Sequence, residues 1–442
     1  MQKKMLHLFL SSLIIMTYCF IPSQLVLADN FNIGFEPSCE SILLINLDTD
    51  SVIYDKNSDK KMAPASITKI MTYIIVAENV SDFNNTTVVV KEELLKGLLG
   101  TGSSLSGIKA GETLSISQLL HCLMIKSGND AALVLADYVG NGDIGSFVQK
   151  MNDKAKELDC QNTHFVNPHG LDNEDHYTTA KDLVKITKYA MTLPSFVEIT
   201  SKVTSYILGE NRYPLVTTNS LIDPVRGGKY YCKYVKGIKT GSDSKAGKCL
   251  VSSASNNGYT YICVALGGFL PNDNVAMLDT KALYQWAFKN LELKPIINKN
   301  KPMGDIKLKL AWQKDSLQIV PAKDYSVMLP KNVVASSIDI KVDKPEFVNA
   351  PIKIGQKIGT ATLSYANAPI TTIDLVAGED AKRSNILFII YFIKNIIMSI
   401  WFKVTAIVVL LLLGFYVWMF IRYNKRTRRK RKTMQAERYR YK

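Results

Sequence analysis

Eighteen consecutive residues without a charge, Val404–Ile421, constrain this chain more than any other feature. In hydrocarbon a segment must satisfy its own backbone N–H and C=O groups, so such a run forms a helix. At 1.5 Å per residue it is roughly 27 Å long, enough to cross a bilayer. Arg422 follows at once and opens a tail, residues 422–442, in which eleven Lys and Arg stand against Glu437 alone. Positive charge beside a span stays in the cytoplasm, so the tail is expected inside and everything before the span outside. The other end agrees. Lys3-Lys4, an apolar run from Met5 to Ile21 and Val26-Leu27-Ala28 read as a cleaved secretory signal over residues 1–28. Residues 386–403 are also apolar, but Lys394 and Asn395 interrupt them. A second span there would put the tail or the body on the wrong side, so an interfacial amphipathic segment against the outer leaflet is expected.

The net charge of +15 is therefore a property of the ends. Without the tail, Lys3, Lys4, Lys394 and Lys403, the body is within one charge of neutral. A basic tail directly after a span meets anionic lipid headgroups, and no nucleic-acid partner is expected. Six cysteines follow the signal, Cys39, Cys122, Cys160, Cys232, Cys249 and Cys263, at irregular spacings that suggest buried free thiols rather than a disulfide framework. Cys160, His164, His169 and His176 match no strong ligand spacing, so no metal and no cofactor is expected.

Between the ends the pattern changes twice. Ser41–Leu47 and Ser51–Lys56 read as a hairpin around Asp48-Thr49-Asp50. Helical spacing follows, in Ile67, Ile70, Met71, Ile74 and Ile75 after Pro64, then in Ser117–Met124, Ala131–Val139 and Ile144–Leu158. From Gly237 strands return, with Lys248–Ser255 and Tyr259–Leu266 joined by Asn256-Asn257-Gly258, and a long helix through Leu278–Asn290. Strands enclosing helices predict one α/β domain over residues 35–295. The short alternating runs after Lys294 predict a small all-β domain over 305–381, between the body and the membrane.

The chemistry concentrates in three short motifs. Ser-x-x-Lys puts a hydroxyl and an amine one helical turn apart on one face, so the amine can take the hydroxyl proton once its pKa is lowered. Of the four such pairs in the chain, only Ser66 and Lys69 begin a strongly apolar helix, whose N-terminal N–H groups suit a developing oxyanion. Ser127-Gly128-Asn129 opens the helical run Ala131–Val139, where helix capping is the plain reading. Lys239-Thr240-Gly241 precedes the Lys248–Ser255 strand. What carries weight is all three in one chain, in order, each on a suitable element.

At these residues the chain resembles the serine-type D-alanyl-D-alanine carboxypeptidases, low-molecular-mass penicillin-binding proteins of the peptidase S11 type. The resemblance extends through Pro64–Lys69, Gly107–Leu114, Ser127–Ala132, Asn162–Asp172 and Gly237–Gly241, and Ala350–Gly359 with Leu375–Asp380 resemble the β-sandwich stalk that follows. It implies an α/β fold: a serine β-lactamase/transpeptidase-like catalytic domain of antiparallel sheet plus helical subdomain, then a small all-β sandwich and the C-terminal transmembrane helix. It implies Ser66 as nucleophile, Lys69 as general base and Ser127 as proton carrier to the leaving amine. Asn129, Lys239, Thr240, Gly241 and Ser242 would bind substrate, the oxyanion lying between the N–H groups of Ser66 and Ser242. The partners implied are peptidoglycan stem peptides and, as covalent inhibitors, β-lactams, with the enzyme on the outer face of a bacterial cell membrane.

Two positions depart from the family pattern. Ser242 stands where an aromatic residue or His often follows Lys-Thr-Gly, and Phe269 rather than a basic residue follows Gly267-Gly268. His169 reads as a loop-structuring residue. Two rival functions share parts of the pattern. A class A β-lactamase needs a Glu to activate the deacylating water, and the loop Asn167–Asp172 carries none. A non-catalytic wall-binding scaffold would need none of the five polar groups.

Overall fold

The computed structural model describes residues 31–98, 100–205, 214–312, 314–365 and 368–440, so the expected signal, 1–28, lies outside the described residues. The chain forms two compact units, one of 1–296, 325–339 and 364–371, the other of 297–324, 340–363 and 372–442.

The first unit is built on β1 (Ser41–Asn46) and β2 (Val52–Lys56), which form the expected antiparallel hairpin. Helices α1 (Lys69–Asn79), α2 (Ile116–Met124), α3 (Asn129–Val139), α4 (Ile144–Glu157) and α5 (Ala180–Ala190) follow. Strands β3 (Val235–Asp243), β4 (Gly247–Asn256) and β5 (Tyr259–Gly268) and helix α6 (Val275–Asn290) complete it. The sheet order is β2-β1-β5-β4-β3, so β5 from the end of the unit pairs with β1 from its start.

Strand alternation divides the core in two. Leu43, Ile45, Val251, Ile262 and Val264 join a cluster with α1 to α5, while Ile42, Leu44, Leu250, Tyr261 and Cys263 join one with α6. Helix α1 runs inside the first cluster: Lys69 through Val76 are all buried. An amphipathic pattern is therefore weak there, and apolar residues all round mark an enclosed helix. Helix α5 was not among the expected helices, although Thr179 caps it, accepting from Asp182 N–H at 3.0 Å. All six cysteines are buried free thiols.

Leu291–Ile297 pairs with Tyr325–Pro330, which draws 325–339 into the first unit. The second unit carries β6 (Asp305–Lys309), β7 (Ser316–Pro321), β9 (Phe347–Asn349) and the greater part of β8 (Asp339–Asp343), β10 (Lys357–Tyr365) and β11 (Ala368–Ala377). These make one sheet in the order β8-β10-β11-β7-β6-β9.

Two helices follow, α7 (Asn385–Met398) and α8 (Ile400–Arg440). Ile400–Arg429 is long and apolar enough to cross a membrane, with a mean hydropathy of 2.6 in its richest stretch. The break falls at Ser399, four residues before the expected end of the interfacial segment. Its cause is local: the Ser399 hydroxyl accepts from Phe402 N–H at 3.1 Å and so caps the second helix.

Candidate active site

Ser66 sits in a tight turn, Ala65–Thr68, that feeds directly into α1. Ala65 adopts a positive φ of 45°, and Gly170 packs against its carbonyl so closely that a Cβ on Gly170 would lie 1.9 Å from that oxygen. Only glycine fits there. The turn presents Ser66 to Lys69, which is fully buried. Its Nζ donates to Ser66 Oγ at 2.8 Å, to Asn129 Oδ1 at 2.7 Å and to the His169 carbonyl at 2.6 Å.

These three partners decide what Lys69 can do. An ammonium has three donors and no acceptor, whereas a neutral amine keeps two N–H groups and gains a lone pair. The Asn129 and His169 oxygens accept only, so in the neutral form they hold the two N–H groups and the lone pair falls to the Ser66 O–H. Burial lowers the Lys69 pKa well below the ordinary lysine value, the nearby Lys239 charge lowers it further, and Asp130 opposes them. Like-charge proximity to Lys239 thus ranks second to desolvation.

Ser127 does not cap its helix. It takes a left-handed φ of 63°, Gly128 occupies the cap position, and the Ser127 hydroxyl accepts instead from Lys239 Nζ at 2.7 Å. Lys239 is buried inside β3, also donates to the Thr240 carbonyl at 2.9 Å, and is lowered to about 7 by burial. Asn129 opens α3, tied to Lys69 through its side-chain oxygen.

The third motif lies within β3, just ahead of β4. Strand β3 runs past the Ser66 turn, and a Cβ on Gly241 would lie 2.9 Å from the Pro64 carbonyl and 3.2 Å from Ser66 N. Glycine there lets the strand approach the nucleophile's own N–H. Thr240 shares a hydroxyl contact with Thr218, and the exposed Ser242 accepts from Lys248 Nζ at 3.0 Å. Structure thus brings Ser66, Lys69, Ser127, Asn129, Lys239 and Gly241 into one cluster, with Thr240 and Ser242 along the same strand.

Several supporting residues had no motif to reveal them. Buried Asp130 accepts from the Ser106 N–H and hydroxyl, from Gly107 N–H and from Ala131 N–H, fixing the loop before the second motif. His176 is buried against Thr68, Nε2 to Oγ1 at 2.8 Å, and its Nδ1 accepts from Val166 N–H at 3.2 Å, which sets Nε2 as the protonated nitrogen. Thr68 in turn donates to the Ala65 carbonyl at 2.8 Å, so His176 steadies the turn that carries Ser66. Burial lowers His169 to about 3 and His176 to about 4. His169 acts on Lys69 through its backbone carbonyl, and its ring Nδ1 accepts from Leu171 N–H at 3.2 Å, in keeping with a loop-structuring role. Among the described residues no group of His, Cys, Asp and Glu is arranged to hold a metal ion.

The chain is similar to known proteins along most of its length. The D-alanyl-D-alanine carboxypeptidase profile of peptidase S11 matches residues 32–269, and that of the penicillin-binding protein 5 C-terminal domain matches 291–383. D-alanyl-D-alanine carboxypeptidase DacF of Bacillus subtilis (strain 168) is 31% identical over 390 residues, 87% of this chain and 96% of that one. Among solved structures, penicillin-binding protein 5 from Haemophilus influenzae superposes with a TM-score of 0.68 at 25% identity, covering 79% of this chain and 99% of that one. The Streptomyces K15 DD-transpeptidase gives 0.53 at 26% identity over 58% of this chain and 98% of that one. The chain belongs to the D-alanyl-D-alanine carboxypeptidases of peptidase family S11 and is a serine carboxypeptidase of the penicillin-binding type.

Proposed function

We propose that Ser66 is the nucleophile that removes the terminal D-alanine from peptidoglycan stem pentapeptides, with neutral Lys69 as its base. The observation that carries this reading is the Lys69 Nζ environment, where two fixed acceptors leave the lone pair to Ser66 Oγ. Ser66 Oγ attacks the penultimate D-alanine carbonyl, its proton passes to Lys69, and the oxyanion forms between the N–H groups of Ser66 and Ser242. Collapse breaks the peptide bond. Ser127, held by Lys239, hands the proton to the leaving amine, and terminal D-alanine departs. Water then adds to the Ser66 ester with Lys69 and Ser127 as the proton path, returning free Ser66.

Asn129 turns its amide N–H groups to the substrate backbone, Lys239 attracts the terminal carboxylate, and Thr240 hydrogen-bonds it. Gly241 admits the peptide chain alongside β3. The segment Asn167–Asp172 has no Glu to activate a water on a β-lactam ester, so penicillin leaves slowly and blocks the enzyme, unlike a class A β-lactamase. The catalytic unit works outside the membrane, anchored by α8, with the basic tail against anionic lipid headgroups on the inner side.

The test is mass spectrometry of the chain in detergent with a D-alanyl-D-alanine pentapeptide, with and without penicillin. Expected are loss of one alanine, block by penicillin, and the adduct on the peptide containing Ser66. Ser66→Ala should abolish both. Rapid penicillin turnover would favour the β-lactamase reading instead, and an intact pentapeptide with no adduct would favour the scaffold.

A further inference from the structure

The segment that leads out of the second unit is not a loose tether. Residues 380–384 run into α7, and two separate loops are bonded to them. In one, Ala311 bridges to Arg383 and the Leu310 carbonyl accepts from Ser384 N–H at 2.7 Å. In the other, Ile352 and Ala381 exchange both backbone hydrogen bonds at 2.9 Å, and Asp380 Oδ1 accepts from Ile354 N–H at 2.7 Å. Each loop carries a large apolar side chain in the open: Trp312 is 61% exposed and Ile354 is 64% exposed.

A single exposed apolar residue needs no explanation. Here two lie on different loops, both fastened to the same five residues, and those residues lead into an apolar helix none of whose residues is buried. Ile354 sits at the tip of a turn closed by Gln356 N–H to the Lys353 carbonyl, a position that gives it nothing to pack against. Around the pair stand Lys353, Lys382 and Arg383, all exposed, and Arg383 lies over the Phe388 ring at 4.1 Å. The nearby acids are engaged: Lys314 donates to Glu379 at 2.6 Å, and Asp380 holds the Ile354 turn.

We propose that these two loops are a membrane foot: Trp312 and Ile354 enter the headgroup boundary of the outer leaflet, and Lys353, Lys382 and Arg383 meet its phosphates. The surface is continuous with α7 and α8, and whatever solvates those helices begins where the loops end. Trp is the side chain best suited to that boundary, with an apolar ring and one N–H for the headgroup level. Because the hydrogen bonds span the junction, the β unit is held at a fixed height on the bilayer. The inference rests on the reading of α8 as a membrane anchor with the body outside.

The chain has four tryptophans, Trp286, Trp312, Trp401 and Trp418, which makes the test direct. Versions keeping only Trp286, Trp312 or Trp418, the others changed to Phe, are reconstituted full length in vesicles of phosphatidylcholine and phosphatidylglycerol brominated near the headgroup or deep in the chains. Carboxypeptidase activity on soluble pentapeptide confirms that each is folded. Trp418 should lose emission to deep bromine, Trp312 to shallow bromine with a blue shift, and Trp286 to neither. Trp418 quenched with Trp312 untouched overturns the foot and leaves the anchor, and would point those loops at a protein partner. Trp418 unquenched overturns the anchor and the foot with it. Should the single-tryptophan chains fail to fold, Trp312→Phe alone must reduce the shallow-bromine quenching of the unaltered chain to the part that Trp401 contributes, and shallow quenching left unchanged by Trp312→Phe would overturn the proposal.

Discussion

The two faces of the five-stranded sheet are made from the same strands and differ in what they bury. The face toward α1 to α5 encloses two lysine amines, Lys69 and Lys239, and the carboxylate of Asp130, with Ser127, Asn129 and two histidines. The face toward α6 encloses rings, Tyr259, Tyr261, Tyr284 and Phe288, whose centroids lie 4.8 to 6.5 Å from one another or from Tyr234. Its polar atoms are mostly hydroxyls, such as Tyr284 bonded to Ser252 at 2.8 Å and Tyr259 to the Leu291 carbonyl at 3.2 Å. Desolvating an ammonium costs several kcal/mol, so the first face holds charge at the expense of stability and the second supplies stability without chemistry.

The largest effects should separate the faces by opposite signs. Lys69→Met should lower kcat/KM on the order of 10³-fold by removing the base. The stability of that variant should be unchanged or higher, because an apolar chain of similar volume takes the place of a buried amine that is costly to desolvate. Phe288→Ala on the other face should cost about 3–5 kcal/mol, with kcat/KM per folded molecule unaltered. Urea midpoints and steady-state kinetics on both variants decide the matter, and a marked loss of stability in Lys69→Met would break the contrast.

A smaller effect tests the histidines of the first face. His176 stands at about 4 in the folded chain against an ordinary 6.5. The unfolded chain therefore binds this proton from about pH 6.5 downward while the native state refuses it until about 4. Stability is fully present above that window and is lost as pH falls through it, by about 3 kcal/mol for this group. His176→Gln, which retains a donor for Thr68, should flatten the slope of urea midpoint against pH between 6.5 and 4 and leave the part that comes from His169. An unchanged slope would show that His176 is protonated in the native state.

How much of this was open to reading differs along the same lines. The three motifs, both hairpins and the helix after them follow from spacing, because strand and helix periods and a Ser-to-Lys turn are local properties. The positive φ of Ser127, which turns its hydroxyl from the helix cap to Lys239, depends on β3 from more than a hundred residues away. Asp130 and His176 act through contacts to loops and a turn, and their neighbours in sequence carry no sign of it. Helix α5 is the opposite case: its Thr179 cap and the apolar Leu183, Val184 and Ile186 are local signals of a helix in the sequence itself. The junction at Ser399 turned on one hydroxyl.

The smallest effect lies on the second face and sharpens the comparison most. Tyr261 is fully buried, and its hydroxyl has no hydrogen-bond partner among the described residues. A buried hydroxyl left unpaired costs free energy, whereas its ring contributes through edge contacts with Tyr259 at 5.7 Å and Phe288 at 5.0 Å. Tyr261→Phe keeps the ring and removes the cost, so it should raise stability by about 1 kcal/mol, seen as a higher urea midpoint at constant m. The corresponding removal on the first face, Ser127→Ala, deletes a hydroxyl that Lys239 occupies and should cost activity instead. A loss of stability in Tyr261→Phe would mean that a buried water satisfies the hydroxyl, and that the ring face too contains a polar group it has had to accommodate.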